Sequence, residues 1–222
     1  MKYVENIQEV AALQPDYLGF IFYEKSKRNF EGIIPELPKS IKKTGVFVNE
    51  IPEIVISLVE EYSLDAIQLH GDESETYVKD LKNQLTERRA LFIEENKHIK
   101  KKKNKHIISE LPVEIIKVFG IKDNFDFEIL KPYEDVVDFF LFDTKGKERG
   151  GNGTKFDWSV LKKYVSDKPF FLSGGIGLED LEQLQIIGKS NLPIYAVDVN
   201  SKFEIKPGLK NINEVKSFKN TL

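Results

Sequence analysis

Apolar residues along the chain fall into short runs separated by segments with a helical pattern. The runs at 17–23 and 136–143 hold few polar residues, which is typical of strands buried on both faces of a parallel sheet. Between such runs, segments like 51–62 repeat their apolar residues at helical spacing. Strands alternating with helices predict parallel βαβ units with right-handed crossovers.

Counting these elements gives an odd number of strands. We predict seven, at residues 17–23, 44–49, 65–70, 113–120, 136–143, 168–175 and 193–199. A helix precedes the first of them, and its apolar face holds Val4, Ile7, Val10, Ala11 and Leu13. An open doubly wound sheet tolerates seven strands, whereas a closed (β/α)8 barrel needs one more ahead of that helix. Because no linker or composition shift divides the chain, we interpret residues 1–222 as one domain.

Composition narrows the function classes. The sequence has no Cys, which removes disulfides, thiolate metal sites and a cysteine nucleophile and suits a reducing cytoplasm. No apolar run approaches the ~20 residues that span a bilayer, and the N-terminus lacks the pattern of a signal peptide. We therefore expect a cytoplasmic protein without a membrane partner. The net charge of -3 gives no general attraction to nucleic acid.

A lysine-rich segment, Lys97 to His106, interrupts the alternation. It can be a nucleic-acid patch, but it has no interleaved aromatic residues and the protein is acidic overall. We interpret it as a solvated basic insertion, and we expect neither a nucleic-acid partner nor a metal site there, although it holds His98 and His106.

Candidate catalytic residues are expected where parallel strands end, because active sites of such folds lie at the carboxyl ends. Asp143 ends an apolar strand, and apolar surroundings favour the neutral acid that a general acid must be; the alternative is a turn or capping carboxylate. A glycine-rich segment, 146–153, follows and can approach a ligand or move over a site. Asp157 is predicted to cap the next helix.

Binding groups are expected at other strand ends. Backbone N–H groups at Gly174 and Gly175, next to a helix start, can bind a phosphate, and Asn200 and Ser201 offer donors after the following strand. Arg28 has the donor fork that matches a carboxylate, although without further context we favour a solvated basic loop for Lys25, Lys27 and Arg28. His70 can donate to a substrate or fix a loop.

Six segments together resemble one family. They are GFIFYEKSKRNF, GVFVNE, AIQLHGDE, FLFDTKGKERGGNGTKFDW, FLSGGI and AVDVNSKFEIKPGLK, and in this order they are similar to N-(5'-phosphoribosyl)anthranilate isomerases. The resemblance implies a (β/α)8 barrel of tryptophan biosynthesis that needs no cofactor. It implies an Amadori rearrangement of phosphoribosylanthranilate to the 1-deoxyribulose phosphate.

The resemblance also implies roles for single residues. Asp143 matches the general acid, and Arg28 the residue that meets the anthranilate carboxylate. The backbone of Gly174, Gly175, Asn200 and Ser201 matches the phosphate site, where Asn200 and Lys202 depart from the commoner serine and glycine. We also expect His70 and Asp198 to contact the substrate.

This sequence departs from the family at the general base. It is a cysteine in a Cys-Gly pair that ends strand 1, just ahead of the segment matching MKYVEN, and the sequence has neither the pair nor any Cys. We expect a barrel without strand 1, and His70 or Asp198 as possible substitutes for the base.

Three alternatives stay open at this point. The chain can be an active isomerase read from an internal methionine, or an impaired barrel that only binds a phosphate ligand. It can also be another phosphate-binding barrel, such as a related isomerase of histidine biosynthesis or an indole-glycerol-phosphate synthase. We expect a monomer or homodimer.

Overall fold

Seven parallel strands form one sheet in the computed structural model, which describes residues 1–96, 112–122, 124–144 and 156–222. Each strand pairs with the next one along the chain. The strands are β1 (Tyr17–Ile21), β2 (Lys42–Phe47), β3 (Ala66–Leu69), β4 (Glu114–Ile121), β5 (Phe139–Thr144), β6 (Phe170–Leu172) and β7 (Ile194–Val197). All seven predicted strands are thereby confirmed.

Helices join these strands, as the alternating pattern predicts. They are α1 (Val4–Ala12), α2 (Pro52–Tyr62), α3 (Glu75–Asn96), α4 (Leu181–Ile187) and α5 (Ile212–Thr221), with an antiparallel hairpin of β8 (Glu204–Lys206) and β9 (Leu209–Lys210) before α5. Short 3-10 helices cover Phe127–Tyr133, Trp158–Lys163, Leu178–Asp180 and Ser201–Phe203. The lysine-rich segment 97–106 and the glycine-rich segment 146–153 lie outside the described residues.

Two local predictions need adjustment. The segment after Asp157 forms a 3-10 helix rather than an α-helix, but its cap is as predicted, because the Asp157 carboxylate accepts the Ser159 N–H at 2.9 Å. In α1, Ile7 and Val10 are buried, whereas Val4 is 43% exposed at the first turn. The buried face of α1 therefore begins one turn later than the pattern suggests.

The sheet curls so that its two edge strands approach each other. The Tyr17 hydroxyl of β1 lies 3.4 Å from the Tyr195 hydroxyl of β7, although within the described part of the chain these strands form no ladder. The backbone nitrogen of Met1 donates to the Gly19 carbonyl of β1 at 2.5 Å. The fold is thus of the (β/α)8 barrel type, with a curled sheet of seven parallel strands in the described residues, and Met1 contacts the free edge of β1.

Hydrophobic residues cover both faces of the strands. The outer face packs on the helices and holds large side chains such as Phe140, Phe142 and Phe170. The inner face forms a second, smaller cluster of Ala66, Ile116, Val118, Leu141 and Phe171. Both faces are apolar, which explains the unbroken apolar runs in the sequence. No helix of the described residues is both long and apolar enough to cross a membrane.

Candidate active site

The inner face of the sheet changes from apolar to polar towards the carboxyl ends of the strands. Side chains of a strand alternate between faces with a period of two. Continuing this period from Leu141 leads to Asp143, from Phe171 to Ser173, and from Ala196 to Asp198. Ala66 in β3 leads in the same way to Gln68 and then His70. The sheet therefore collects these polar side chains on one face at one end.

Asp143 is held by contacts to both of its oxygens. Its Oδ1 accepts the Thr144 N–H at 2.8 Å, and its Oδ2 lies 3.3 Å from Nε2 of His70. The other ring nitrogen, Nδ1 of His70, is 3.0 Å from the Gln68 amide nitrogen. Because an amide NH2 can only donate, Nδ1 accepts, and a neutral ring then carries its proton on Nε2, facing Asp143. The Asp143 side chain is only 14% exposed.

Asp198 forms a second buried carboxyl on the same face. Its Oδ2 accepts the Ser173 hydroxyl at 3.0 Å. Burial raises the pKa of Asp198, and the Asp143 charge adds to this, while the Ser173 hydrogen bond and Lys210 oppose it. Two carboxyls that influence each other disfavour having both ionised, which is a common arrangement at proton-transfer sites.

Gly174 and Gly175 follow β6 in conformations that other residues rarely adopt, with φ of 98° and 65°. A Cβ at Gly174 would lie 2.3 Å from Oγ1 of Thr144 and 2.5 Å from its backbone nitrogen. Glycine therefore lets this turn approach the end of β5 closely. In the described residues we find no acceptor for the backbone N–H of either glycine. The N–H of Gly177, by contrast, donates to the buried Asp180 carboxylate at 2.9 Å.

Asn200 and Ser201 follow β7, at the neighbouring strand end. Their backbone N–H groups also have no acceptor within the described ranges. Lys210 of β9 fixes this turn, because its Nζ donates to the Asn200 carbonyl at 2.8 Å and to Oδ1 of Asn200 at 2.7 Å. Burial lowers the pKa of Lys210 to about 8, against the opposing charges of Glu204 and Asp198. Lys210 thus fixes the turn through the carbonyl and the side chain of Asn200, while the backbone N–H groups of Asn200 and Ser201 can still donate to a ligand.

Arg28 is a fixed residue, not part of a solvated loop. Its Nε donates to both oxygens of Glu204, at 3.0 and 2.9 Å, and its Nη2 donates to Oε2 at 2.7 Å. The two side chains are 18% and 4% exposed. Burial alone raises the pKa of Glu204, but the Arg28 hydrogen bond and the Lys210 charge hold it below its ordinary value. Lys25 and Lys27 are exposed, so the prediction of a solvated basic loop is confirmed for these two residues and wrong for Arg28.

A buried ion pair supports the turn that carries His70. Nζ of Lys117 lies 3.0 Å from Oε2 of Glu73 and donates to the Gly71 carbonyl at 2.9 Å. Glu73 also accepts the N–H groups of Asn49 and Gly71. These contacts join the segments that follow β2 and β3 to Lys117 in the middle of β4, so that the His70 turn has a defined position.

The structure brings together most of the site residues that the sequence suggested, and it adds others. His70, Asp143 and Asp198 share the inner face. Glu204, Lys210 and Lys117 were missed, because a charged residue in a strand or hairpin carries no sequence signal of its burial. No group of three or more side chains able to hold a metal ion is found in the described residues.

Comparison with known proteins gives a consistent result along the chain. The family model described as N-(5'phosphoribosyl)anthranilate (PRA) isomerase matches residues 1–108 and 98–221. The N-(5'-phosphoribosyl)anthranilate isomerase of Parabacteroides distasonis is 40% identical over 225 residues, which cover 98% of this chain and 88% of that protein.

Solved structures agree with the sequence comparison. Phosphoribosyl anthranilate isomerase from Thermotoga maritima superposes with a TM-score of 0.73 at 29% identity, covering 100% of this chain and 94% of that one. A phosphoribosyl anthranilate isomerase in complex with reduced 1-(o-carboxyphenylamino)-1-deoxyribulose 5-phosphate gives a TM-score of 0.69 at 27% identity, with 99% and 93% coverage.

Proposed function

Because this chain belongs to the N-(5'-phosphoribosyl)anthranilate isomerase family, we propose that the carboxyl ends of its strands form the active site for that reaction. The protein is an isomerase of tryptophan biosynthesis, which converts N-(5'-phosphoribosyl)anthranilate to 1-(2-carboxyphenylamino)-1-deoxyribulose 5-phosphate. The observation that carries the proposal for the site is Asp143, a largely buried carboxyl in contact with His70 where the inner face turns polar.

Asp143 is proposed as the general acid of ring opening. It donates a proton to the furanose ring oxygen, the C1'–O bond breaks, and the nitrogen lone pair forms the Schiff base. His70 and the Thr144 N–H hold the two carboxyl oxygens, which fixes the direction in which Asp143 faces. A positioned acid of this kind contributes roughly 10²- to 10⁴-fold to rate.

The two ends of the substrate are proposed to bind on either side of this acid. Gly174, Gly175, Asn200 and Ser201 bind the phosphate through backbone N–H groups, which match an oxyanion's need for several donors. Arg28 binds the anthranilate carboxylate through its remaining N–H groups. His70 and Asp198 contact the sugar between these ends. Departures from the commoner residues at Asn200 and Lys202 matter little when the contacts are to backbone.

Removal of the C2' proton requires a base, and the printed sequence contains no Cys. Of the two substitutes considered, Asp198 is the better base candidate, because both ring nitrogens of His70 already have protein partners in Gln68 and Asp143. Burial raises the pKa of Asp198, which makes its carboxylate a better proton acceptor than an ordinary one. We propose that proton removal limits turnover of the 222-residue chain. The enolamine formed in that step then tautomerises to the ketone product.

Asp143→Asn tests the acid role. Asn keeps the shape of the side chain but has no proton of suitable acidity, so we expect kcat to fall by about 10²- to 10⁴-fold while the reduced product analogue still binds. The matched control is Asp157→Asn at an exposed helix cap, where Asn also caps well and kcat should not change. An Asp143→Asn enzyme with undiminished kcat would refute the assignment.

A second experiment tests the base. A β-strand ending in Cys-Gly is fused ahead of Met1, and the same fusion with Ser-Gly serves as control. We expect the Cys form alone to raise kcat by at least about 100-fold. Equal kcat for the original chain and both fusions would show that proton removal does not limit this chain.

Four further properties of the protein are also proposals. We propose one domain, a cytoplasmic location, a monomer or homodimer, and a reaction without cofactor. Proton transfers alone balance the rearrangement, since no net oxidation of the substrate occurs. Size-exclusion chromatography with light scattering determines the assembly state.

A further inference from the structure

Three neighbouring side chains connect the proposed carboxylate site with the proposed phosphate site. Arg28 contacts Glu204, Glu204 lies 3.5 Å from Nζ of Lys210, and Lys210 donates to Asn200. Glu204 stands at the centre and also accepts the Gly208 N–H at 3.0 Å. None of the assigned roles uses Glu204, although its side chain is only 4% exposed.

The geometry at Arg28 determines which of its donors remain for a ligand. Glu204 accepts from Nε and from one N–H of Nη2, which together form one side of the guanidinium. Within the described ranges Nη1 has no acceptor. A planar guanidinium that uses one side for a protein carboxylate can still offer its Nη1–Nη2 edge to another carboxylate.

A free arginine side chain at this position would sample many rotamers, and binding a ligand would then carry the entropic cost of immobilising it. Bidentate contact with Glu204 removes most of this cost in advance, since the guanidinium plane is already fixed. Lys210 offsets the negative charge of Glu204, so the carboxylate can stay ionised beside an incoming anion.

We propose that Glu204 is a positioning residue that presents the Nη1–Nη2 edge of Arg28 to the anthranilate carboxylate, and thereby sets specificity for an ortho-carboxylated aryl amine. The inference rests on the proposed role of Arg28. We expect the effect mainly at the carboxylate end of the substrate, because Glu204 accepts from Arg28 at 3.0, 2.9 and 2.7 Å, whereas Lys210 is 3.5 Å away and has its own hydrogen bonds to Asn200.

The test compares two ligands on the full chain by calorimetry. One is reduced 1-(o-carboxyphenylamino)-1-deoxyribulose 5-phosphate, and the other is its phenylamino counterpart without the carboxylate. For Glu204→Gln we expect Kd of the carboxylated ligand to rise about tenfold, because Gln replaces one acceptor with a donor that faces Arg28. Kd of the second ligand should stay within about threefold, which also shows that the variant is folded.

Glu114→Gln is the matched control, because Glu114 forms a partly exposed ion pair with Lys42 at the opposite end of the sheet and its loss should affect neither ligand. If Glu204→Gln does not fold, Glu204→Asp keeps the charge but shortens the reach, and the selective loss should then be about threefold. Equal changes for both ligands, or none, would overturn the proposal.

Arg28→Met distinguishes the proposed role of Arg28 from that of Glu204. If it removes the preference for the carboxylated ligand while Glu204→Gln does not, Arg28 binds the carboxylate and the role of Glu204 is wrong. If Arg28→Met leaves the preference intact, the proposed role of Arg28 itself is wrong, and the inference on Glu204 falls with it.

Discussion

The two ends of the sheet use polar residues in opposite ways. At the amino ends, Lys42 donates to Glu114 at 2.6 Å and to the Tyr17 hydroxyl at 3.1 Å, and that hydroxyl donates to Glu114 at 2.9 Å. At the carboxyl ends, the backbone N–H groups of Gly174 and Gly175 have no acceptor among the described residues.

The pKa shifts of buried groups also differ between the two ends of the sheet. Burial raises the pKa of Tyr17, as do its hydrogen bonds to Tyr195 and Glu114, so its hydroxyl stays neutral and bonded. Asp198 at the other end carries a burial penalty that its single Ser173 hydrogen bond only partly offsets. The polar side chains at the amino ends satisfy each other, whereas the carboxyl ends combine paired side chains with backbone N–H groups that have no acceptor in the described residues. Stability and function are thus placed at opposite ends of one sheet.

Of the variants that test this comparison, Gly174→Ala should have the largest effect on the free energy of unfolding. Its φ of 98° is unfavourable for Ala, and the new Cβ would lie 2.3 Å from Oγ1 of Thr144. We expect the free energy of unfolding to fall by about 1–3 kcal/mol and the affinity for the reduced product analogue to drop.

Gly19→Ala in β1 is the matched control, because the atom nearest to a Cβ added there, Cγ2 of Val46, would be 3.9 Å away. Chemical denaturation measures the stability of both variants, and calorimetry measures the affinity. If the two alanines had equal effects, backbone strain at Gly174 would not be a feature of the site.

Asp198→Asn should have a smaller effect on stability, and of opposite sign. The folded chain binds the Asp198 proton more tightly than the unfolded chain, so this carboxyl costs stability as the pH rises through its raised pKa. Asn removes the cost, and we expect a higher Tm at neutral pH together with lower kcat.

The gain in Tm should disappear at a pH below the ordinary carboxyl range, where Asp198 is protonated in both states. Thermal denaturation from acidic to neutral pH checks this, with the Ser173→Ala variant as a control for the lost hydrogen bond. A constant difference in Tm across that range would contradict burial as the cause.

Lys42→Met should have the smallest effect. The pair with Glu114 is partly exposed, at 35% and 23%, so its loss costs less than about 1 kcal/mol of unfolding free energy. Because Lys42 lies at the amino ends, kcat and analogue affinity should not change. A loss of activity at unchanged stability would contradict the claim that the amino ends of the strands serve stability alone.

How much the sequence predicts depends on the kind of interaction. The strands are evident because both of their faces are apolar, as in the run ending at Asp143. The position of Asp143 at a strand end is evident for the same reason. Local backbone signals are also visible in the sequence, as Gly174 and the Asp157 cap show.

Long-range polar pairs were not predictable. Arg28 and Glu204 are 176 residues apart, and the interpretation of Arg28 as part of a solvated loop was reasonable until the fold placed a buried carboxylate beside it. Lys117 lies in an apolar strand, and its charge can be buried there because Glu73, in the turn after β3, forms an ion pair with it. Such contacts depend on strand register, which local pattern does not specify.

The most direct test of the division between the ends is an amide NMR titration with reduced 1-(o-carboxyphenylamino)-1-deoxyribulose 5-phosphate. We predict that the largest ¹H–¹⁵N shift changes occur at Gly174, Gly175, Asn200 and Ser201, while Tyr17 and Lys42 do not move. Equal changes at both ends of the sheet at saturation, or changes confined to the amino ends, would contradict the account.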